Sequence, residues 1–180
     1  MALEEILLKN KATILKRWFN LILETYPADT AALMRKGKDQ FTNPVGSTIS
    51  REIEGLFKGL LDGRNSEGFS ASLDSILKIR SVQDFSPSKA VGFIFLLKKA
   101  MEETLKGEIG KEPMREEWSR FLSRIDELSL HAFDRYMDCR EKICEIRINQ
   151  ARSEKEMAFR MIERMSYSKG KREKEEDPNS

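Results

Sequence analysis

The chain has one histidine, two cysteines and five prolines among 180 residues, and each scarcity removes a class of function. A lone imidazole, His131, leaves only single-histidine versions of nucleophilic catalysis. Two cysteines and one histidine fall short of an ordinary zinc site and of the four thiolates that hold an iron–sulfur cluster. Nor can they build a disulfide framework. Charge of one sign is lacking as well: Lys+Arg 32 stand against Asp+Glu 30, a net charge of +2. There is no basic excess to drive binding to phosphate backbones, so no nucleic-acid partner is expected. No apolar run approaches the roughly 18–20 residues that cross a bilayer, which excludes direct membrane insertion. The acidic start, Met1-Ala2-Leu3-Glu4-Glu5, lacks the layout of a signal peptide, and a cytoplasmic chain is expected.

What is present is helical periodicity. Leu7, Ile14, Trp18, Leu21 and Thr25 fall on one stripe, widened by Leu8, Leu15, Phe19 and Ile22 into the broad apolar face of a core helix. Pro27 ends that helix and is tolerated in the first turn of a short one holding Ala31, Ala32 and Leu33. Residues 37–44 form a loop by their breaker content, and Asn43-Pro44 is a cap followed by a first helical residue. Ile49, Ile53, Leu56, Phe57, Leu60 and Leu61 then recur at three and four, with Gly63 as a stop. Phe69, Leu73, Ile76 and Leu77 mark a helix closing near Arg80. Ser86-Pro87 repeats the cap-then-proline pattern before Ala90, Ile94, Leu97, Met101 and Leu105, and Gly107 and Gly110 end that segment. Sustained strand alternation is missing throughout, so the fold class is all-α, a helical bundle.

The C-terminal third differs. Between Pro113 and Gly170 there is neither glycine nor proline, so nothing local stops a helix from about 113 to 165. It would be on the order of 80 Å long. Met114, Trp118, Phe121, Ile125 and Leu128 give its first half a core-like face. Past Tyr136 the stripe thins to Cys139, Ile143, Ile146 and Gln150, followed by Ala158, Met161, Ile162 and Met165. Residues 113–180 hold 15 Lys+Arg and 15 Asp+Glu. A thin seam flanked by mixed charge suits a partner helix in the manner of a coiled coil, so Ile143, Ile146, Met161, Ile162 and Met165 are candidate interface residues.

The remaining chemistry is sparse. His131 lies among Leu128, Leu130 and Phe133, as a flank histidine or as a haem ligand. Cys139 and Cys144 are five apart; on one helix that is about 140° around the axis and about 7.5 Å along it, beyond an intrahelical disulfide. They are two small apolar side chains, or a redox contact between chains. Met157, Met161 and Met165 make a stripe suited to helix packing or to an adaptable surface. Gly55-Leu56-Phe57-Lys58-Gly59 sits inside an apolar helix pattern and does not match a P-loop. No metal site and no cofactor are expected.

Residues 18–27, Trp18-Phe19-Asn20-Leu21-Ile22-Leu23-Glu24-Thr25-Tyr26-Pro27, and Phe41-Thr42-Asn43-Pro44-Val45-Gly46 resemble the RsbRD N-terminal domain family. Val82-Gln83-Asp84-Phe85-Ser86-Pro87-Ser88-Lys89-Ala90-Val91 is more similar still, continuing into Phe93-Ile94-Phe95-Leu96-Leu97-Lys98. The resemblance runs from the first helix to about Ile125. It implies the helical sensor domain of RsbT co-antagonist proteins of the bacterial stressosome, joined by a helix to a STAS domain, with globin-like relatives that lack haem and dimerise. The present sequence stops where that helix would hand over to STAS, so the output partner is expected to be another chain, a second copy, or absent.

Together these readings predict an all-α, globin-like or bundle sensor domain over 1–136, an output helix over 137–167 and a disordered charged tail over 168–180. A non-enzymatic regulatory module is expected, acting through protein contacts as a homodimer or with another protein chain. The alternatives are an accessory subunit of a larger, redox-linked complex and a small-ligand or haem-binding protein. Gln83, Asp84 and Phe85, with Asn43, are the candidate ligand-binding residues, since polar groups beside apolar walls can line a site between helices. The competing reading is a hydrogen-bonded loop that fixes helix packing.

Overall fold

In a computed structural model of the chain, the described residues are 3–36, 41–62, 67–83, 85–107 and 114–176, with side chains for all of these except 36, 67 and 168–176. Every regular element among them is an α-helix, in the order α1 (Leu3–Lys9), α2 (Lys11–Leu23), α3 (Ala28–Lys36), α4 (Pro44–Asp62), α5 (Glu67–Val82), α6 (Pro87–Val91), α7 (Phe95–Thr104) and α8 (Met114–Glu176). The all-α class read from periodicity is the observed one. Gly63, Gly110 and Pro113, used as helix punctuation, lie outside the described residues, as do 37–40 of the loop and 177–180 of the expected tail.

The chain divides into two units, Met1–Arg140 and Glu141–Ser180. In the first, α4 packs along α5 and α2 along α7, with α2 and α3 also against α4. The three-and-four spacing is what buries Trp18, Leu21 and Ile22 on α2, Ile49, Ile53, Leu56, Phe57 and Leu60 on α4, and Leu73, Ile76 and Leu77 on α5. Phe121, Ile125, Leu128, Ala132 and Tyr136 of α8 complete the same core. Each large apolar side chain so buried contributes about 1.5–3 kcal/mol. The expected stripe of α3 is narrower than its sequence suggests, since Ala31 is buried but Leu33 is exposed.

Two helices that read as continuous are broken. The first stops at Asn10, whose amide side chain and backbone N–H both donate to the Ile6 carbonyl at 3.0 Å. That local bond gives the backbone an alternative to helix propagation. The second break is at residues 92–94. Ile94, Phe95 and Leu97 donate to the carbonyls three residues back, Val91, Gly92 and Ile94, at 3.1 Å each. Because the Leu97 N–H turns to Ile94, the Phe93 carbonyl is left to accept the Trp18 indole N–H at 2.7 Å. The kink thus satisfies a buried donor that would otherwise cost about 1–3 kcal/mol. Gly107, at φ +89°, supplies the left-handed residue after α7.

Candidate functional site

Arg80 occupies the last turn of α5 and is wholly buried. Its register explains why: it follows Leu73, Ile76 and Leu77 on the core face, three residues beyond Leu77. A cation in a last turn faces the negative end of the helix dipole, a favourable place for its charge. The guanidinium donates from Nη1 to the Lys89 carbonyl at 3.0 Å and from Nη2 to Thr25 Oγ1 at 3.2 Å. Three aromatic rings surround it, with Phe85 at 4.8 Å from its central carbon and Tyr26 and Phe93 at 5.3 Å. A desolvated cation on aromatic faces gains about 2 kcal/mol, and a guanidinium is the cation most weakly hydrated and so easiest to place there. No carboxylate pairs with Arg80 among the described residues, and its Nε has no hydrogen-bond partner. Burial draws its pKa below the usual arginine value, with Tyr26 opposing.

The cage walls are themselves held. Tyr26 meets Phe85 edge-on, centres 5.2 Å apart, and donates its hydroxyl hydrogen to Gln83 Oε1 at 3.1 Å. Burial raises the Tyr26 pKa, while the Arg80 charge and the Gln83 bond pull the other way. The Phe85 N–H donates to the Gln83 carbonyl at 2.8 Å, closing a tight turn. Two residues of α8 then clasp this corner. Tyr136, fully buried, donates to the Phe85 carbonyl at 3.2 Å, and Arg140 Nη1 donates to the Ser81 carbonyl at 3.2 Å. Next to Tyr136 in sequence, Arg135 forks onto the Asp74 carboxylate, a bond that raises the Arg135 pKa above its ordinary value.

Of the predicted ligand residues, Phe85 stacks on the buried cation and Gln83 holds the cage wall Tyr26, whereas Asp84 lies outside the described residues. Asn43 serves the α3–α4 corner: its Nδ2 donates to the Met34 carbonyl at 2.6 Å and its Oδ1 accepts from the Gly46 N–H at 2.9 Å. The cap read from Asn43-Pro44 is thus observed. Ser86 does not repeat it; its hydroxyl makes no cap bond and lies 3.2 Å from Ser88 Oγ, while Pro87 takes the first helical position. On α8, Ile143 is half-buried, and Ile146, Met161, Ile162 and Met165 are exposed, Met165 at 73%. Both thiols are free, Cys139 half-buried and Cys144 exposed. His131 is exposed on α8. Among the described residues no group of three or more His, Cys, Asp or Glu could hold a metal ion.

The composition of the loop pointed to Gln83 and Phe85 but not to Arg80, Tyr136 or Arg140. The one available signal was a charged residue at a buried register position in α5. Chemically the described residues of the corner offer a fixed charge, aromatic packing and the hydroxyls of Thr25, Tyr26 and Tyr136.

Residues 12–151 match the family model described as RsbT co-antagonist protein rsbRD N-terminal domain. The chain belongs to this family. The rsbRD N-terminal match takes in every residue of the Arg80 corner as well as Ile143 and Ile146, and ends before Met161. Among curated proteins and among solved structures nothing matches the chain. This rsbRD N-terminal domain is thus of a stressosome-type regulatory family, and none of its described helices is long and apolar enough to cross a membrane.

Proposed function

We propose that the chain is a non-enzymatic sensor or regulatory module of a bacterial cytoplasm, signalling through protein contacts of α8 as a homodimer or with another protein chain. Membership of a stressosome-type family supports the regulatory role. The observation that carries the contact surface is the exposure of large apolar side chains along α8, with Ile146 at 65%, Met161 at 65%, Ile162 at 59% and Met165 at 73%. Met161 and Ile162 lie four and three residues before Met165, on one side of α8, and balanced charge flanks them, as on a helix that pairs with another. The working division is a sensor over 1–136, an output helix over 137–167 and a charged tail over 168–180. A signal that shifts the loop at Gln83 and Phe85 reaches α8 through Tyr136 and Arg140, which bond the Phe85 and Ser81 carbonyls. Such a module acts by changing the population of output states when its ligand or partner prefers one of them.

Light scattering coupled to gel filtration tests the reading. The full chain at tens of micromolar elutes as a dimer, and the triple variant Ile146→Ser, Met161→Ser, Met165→Ser as a monomer with unchanged thermal unfolding of the core. A full chain that stays monomeric throughout overturns the homodimer.

A further inference from the structure

A second feature of the first unit is untouched by that reading. An open groove of about 1160 Å³ runs between the α1–α2 edge and the α3–α4 pair. Its apolar lining includes Leu8, Leu15 and Phe19, with Met34 and Ile53 deeper, and Leu8 is 52% exposed. Around them stand Lys9, Lys11, Lys16, Arg35 and Arg51, against one carboxylate, Glu54. Glu54 is taken by Lys11 at 2.6 Å, and Arg51 is taken by Glu52 at 2.7 Å. Lys9, Lys16 and Arg35 make no ion pair among the described residues. In a chain of net charge +2, five cations to one carboxylate is a local concentration of positive charge.

We propose that this groove docks an acidic amphipathic helix of a partner protein. The groove is open and exceeds the roughly 300–1,000 Å³ of a small-molecule site, which favours a macromolecular occupant. Its walls are helices, whose backbone groups are already paired, so an extended peptide would find no ladder to join and its own backbone would go unpaired. A helix brings its backbone satisfied, and one about 10 Å across can lay an apolar stripe on Leu8, Leu15 and Phe19. Carboxylates on both flanks of that stripe would meet Lys9 and Lys16 on one side and Arg35 on the other. The chain's own α8 is a poor occupant, because residues 113–180 carry 15 cations and 15 carboxylates. A flat anionic membrane matches the charge but not the concavity. This surface shares no residue with the α8 seam, so a monomeric chain leaves the proposal standing.

The test uses the full chain and a fluorescent amphipathic peptide of about 18 residues, long enough to form a marginal helix. Its leucines fall at i, i+3, i+4 and i+7, with glutamates on both flanks; a twin carries lysines instead. Fluorescence anisotropy should show the glutamate peptide binding, the lysine twin at least about tenfold weaker, and affinity falling as salt shortens the reach of charge. The double variant Lys16→Glu, Arg35→Glu should lose at least about tenfold, and Leu8→Ser should weaken binding, each with an unchanged circular dichroism spectrum. Reversal on α8, Arg147→Glu with Arg152→Glu, should change nothing. No binding of the glutamate peptide at about 100 µM, equal binding of the twins, indifference to the groove variants, or preference for phosphatidylglycerol vesicles over the peptide each overturns the proposal.

Discussion

The guanidinium carbon of Arg80 lies 4.8 Å from the centre of the Phe85 ring, so the loop that closes α5 is stacked on the one buried charge among the described residues. Removing a cation from water is expensive, and here the compensation comes from two hydrogen bonds, three ring faces and a helix C-terminus in place of a carboxylate. A site built this way depends more on the shape of the side chain than on the number of its charges.

Substitutions at Arg80 should separate shape from charge. Arg80→Ala leaves a cavity and strips donors from the Lys89 carbonyl and Thr25, and should lower the unfolding free energy by about 3 kcal/mol. Arg80→Met keeps most of the stem between the rings without a buried charge, and should cost no more than about 1 kcal/mol. Arg80→Lys, with a compact and strongly hydrated head, should fall near the alanine variant. Urea titrations followed by circular dichroism order the three.

Tyr26 gives the cage a pH limit. Its folded-state pKa is raised by burial, so the native state holds the phenol proton more tightly than the unfolded chain does. The stability tied to that proton is complete below the unfolded value near 10 and is lost as pH rises through the folded value. Unfolding free energy measured from pH 8 upward should therefore decline beyond about 10. Tyr26→Phe should flatten that decline while losing the Gln83 bond, about 1 kcal/mol at neutral pH.

Gly59 and Gly55 differ in what faces them across α4 and α5. A methyl group at Gly59 would overlap the Phe69 ring, whereas at Gly55 it would meet the Ser72 hydroxyl, the end of a side chain that can rotate. Gly59→Ala should cost about 1–3 kcal/mol by overpacking, despite the better helix propensity of alanine. Gly55→Ala should be within about 1 kcal/mol of the parent. Thermal unfolding of the pair measures the difference.

Asn43 separates a capping role from a ligand role. Asn43→Ala removes both the acceptor for the Gly46 N–H and the donor to the Met34 carbonyl, and should cost about 2 kcal/mol. Asn43→Asp keeps the acceptor and should recover about half of that loss. Chemical denaturation of both variants is the check.

The helical character of the chain was legible because its apolar residues keep a spacing near 3.6 over long stretches, and Asn43-Pro44 marked a helix start because side-chain capping is a local interaction. The breaks at Asn10 and 92–94 were not legible. The first sits where the Asn10 side chain adds a second bond to the Ile6 carbonyl, and the second involves Trp18, 75 residues from the carbonyl it reaches. The loop at 83–86 stands out by its composition, but its meaning depends on Arg80, whose charge argues for solvent while its register places it on the core face. Its partners come from α2's end, α6 and α8, and no spacing along one helix encodes that meeting.

Phe93 belongs to two environments at once. Its ring faces Arg80, and it lies parallel to the Trp18 indole, 6.4 Å between centres at 12°, while its carbonyl holds the indole proton. The protein therefore contains a natural optical gauge. Any movement of Phe93 changes the hydrogen bond at the fluorophore, and with it the colour and yield of emission, against a steadier background from half-buried Trp118. Whatever disturbs the arginine is readable as light, with no dye attached.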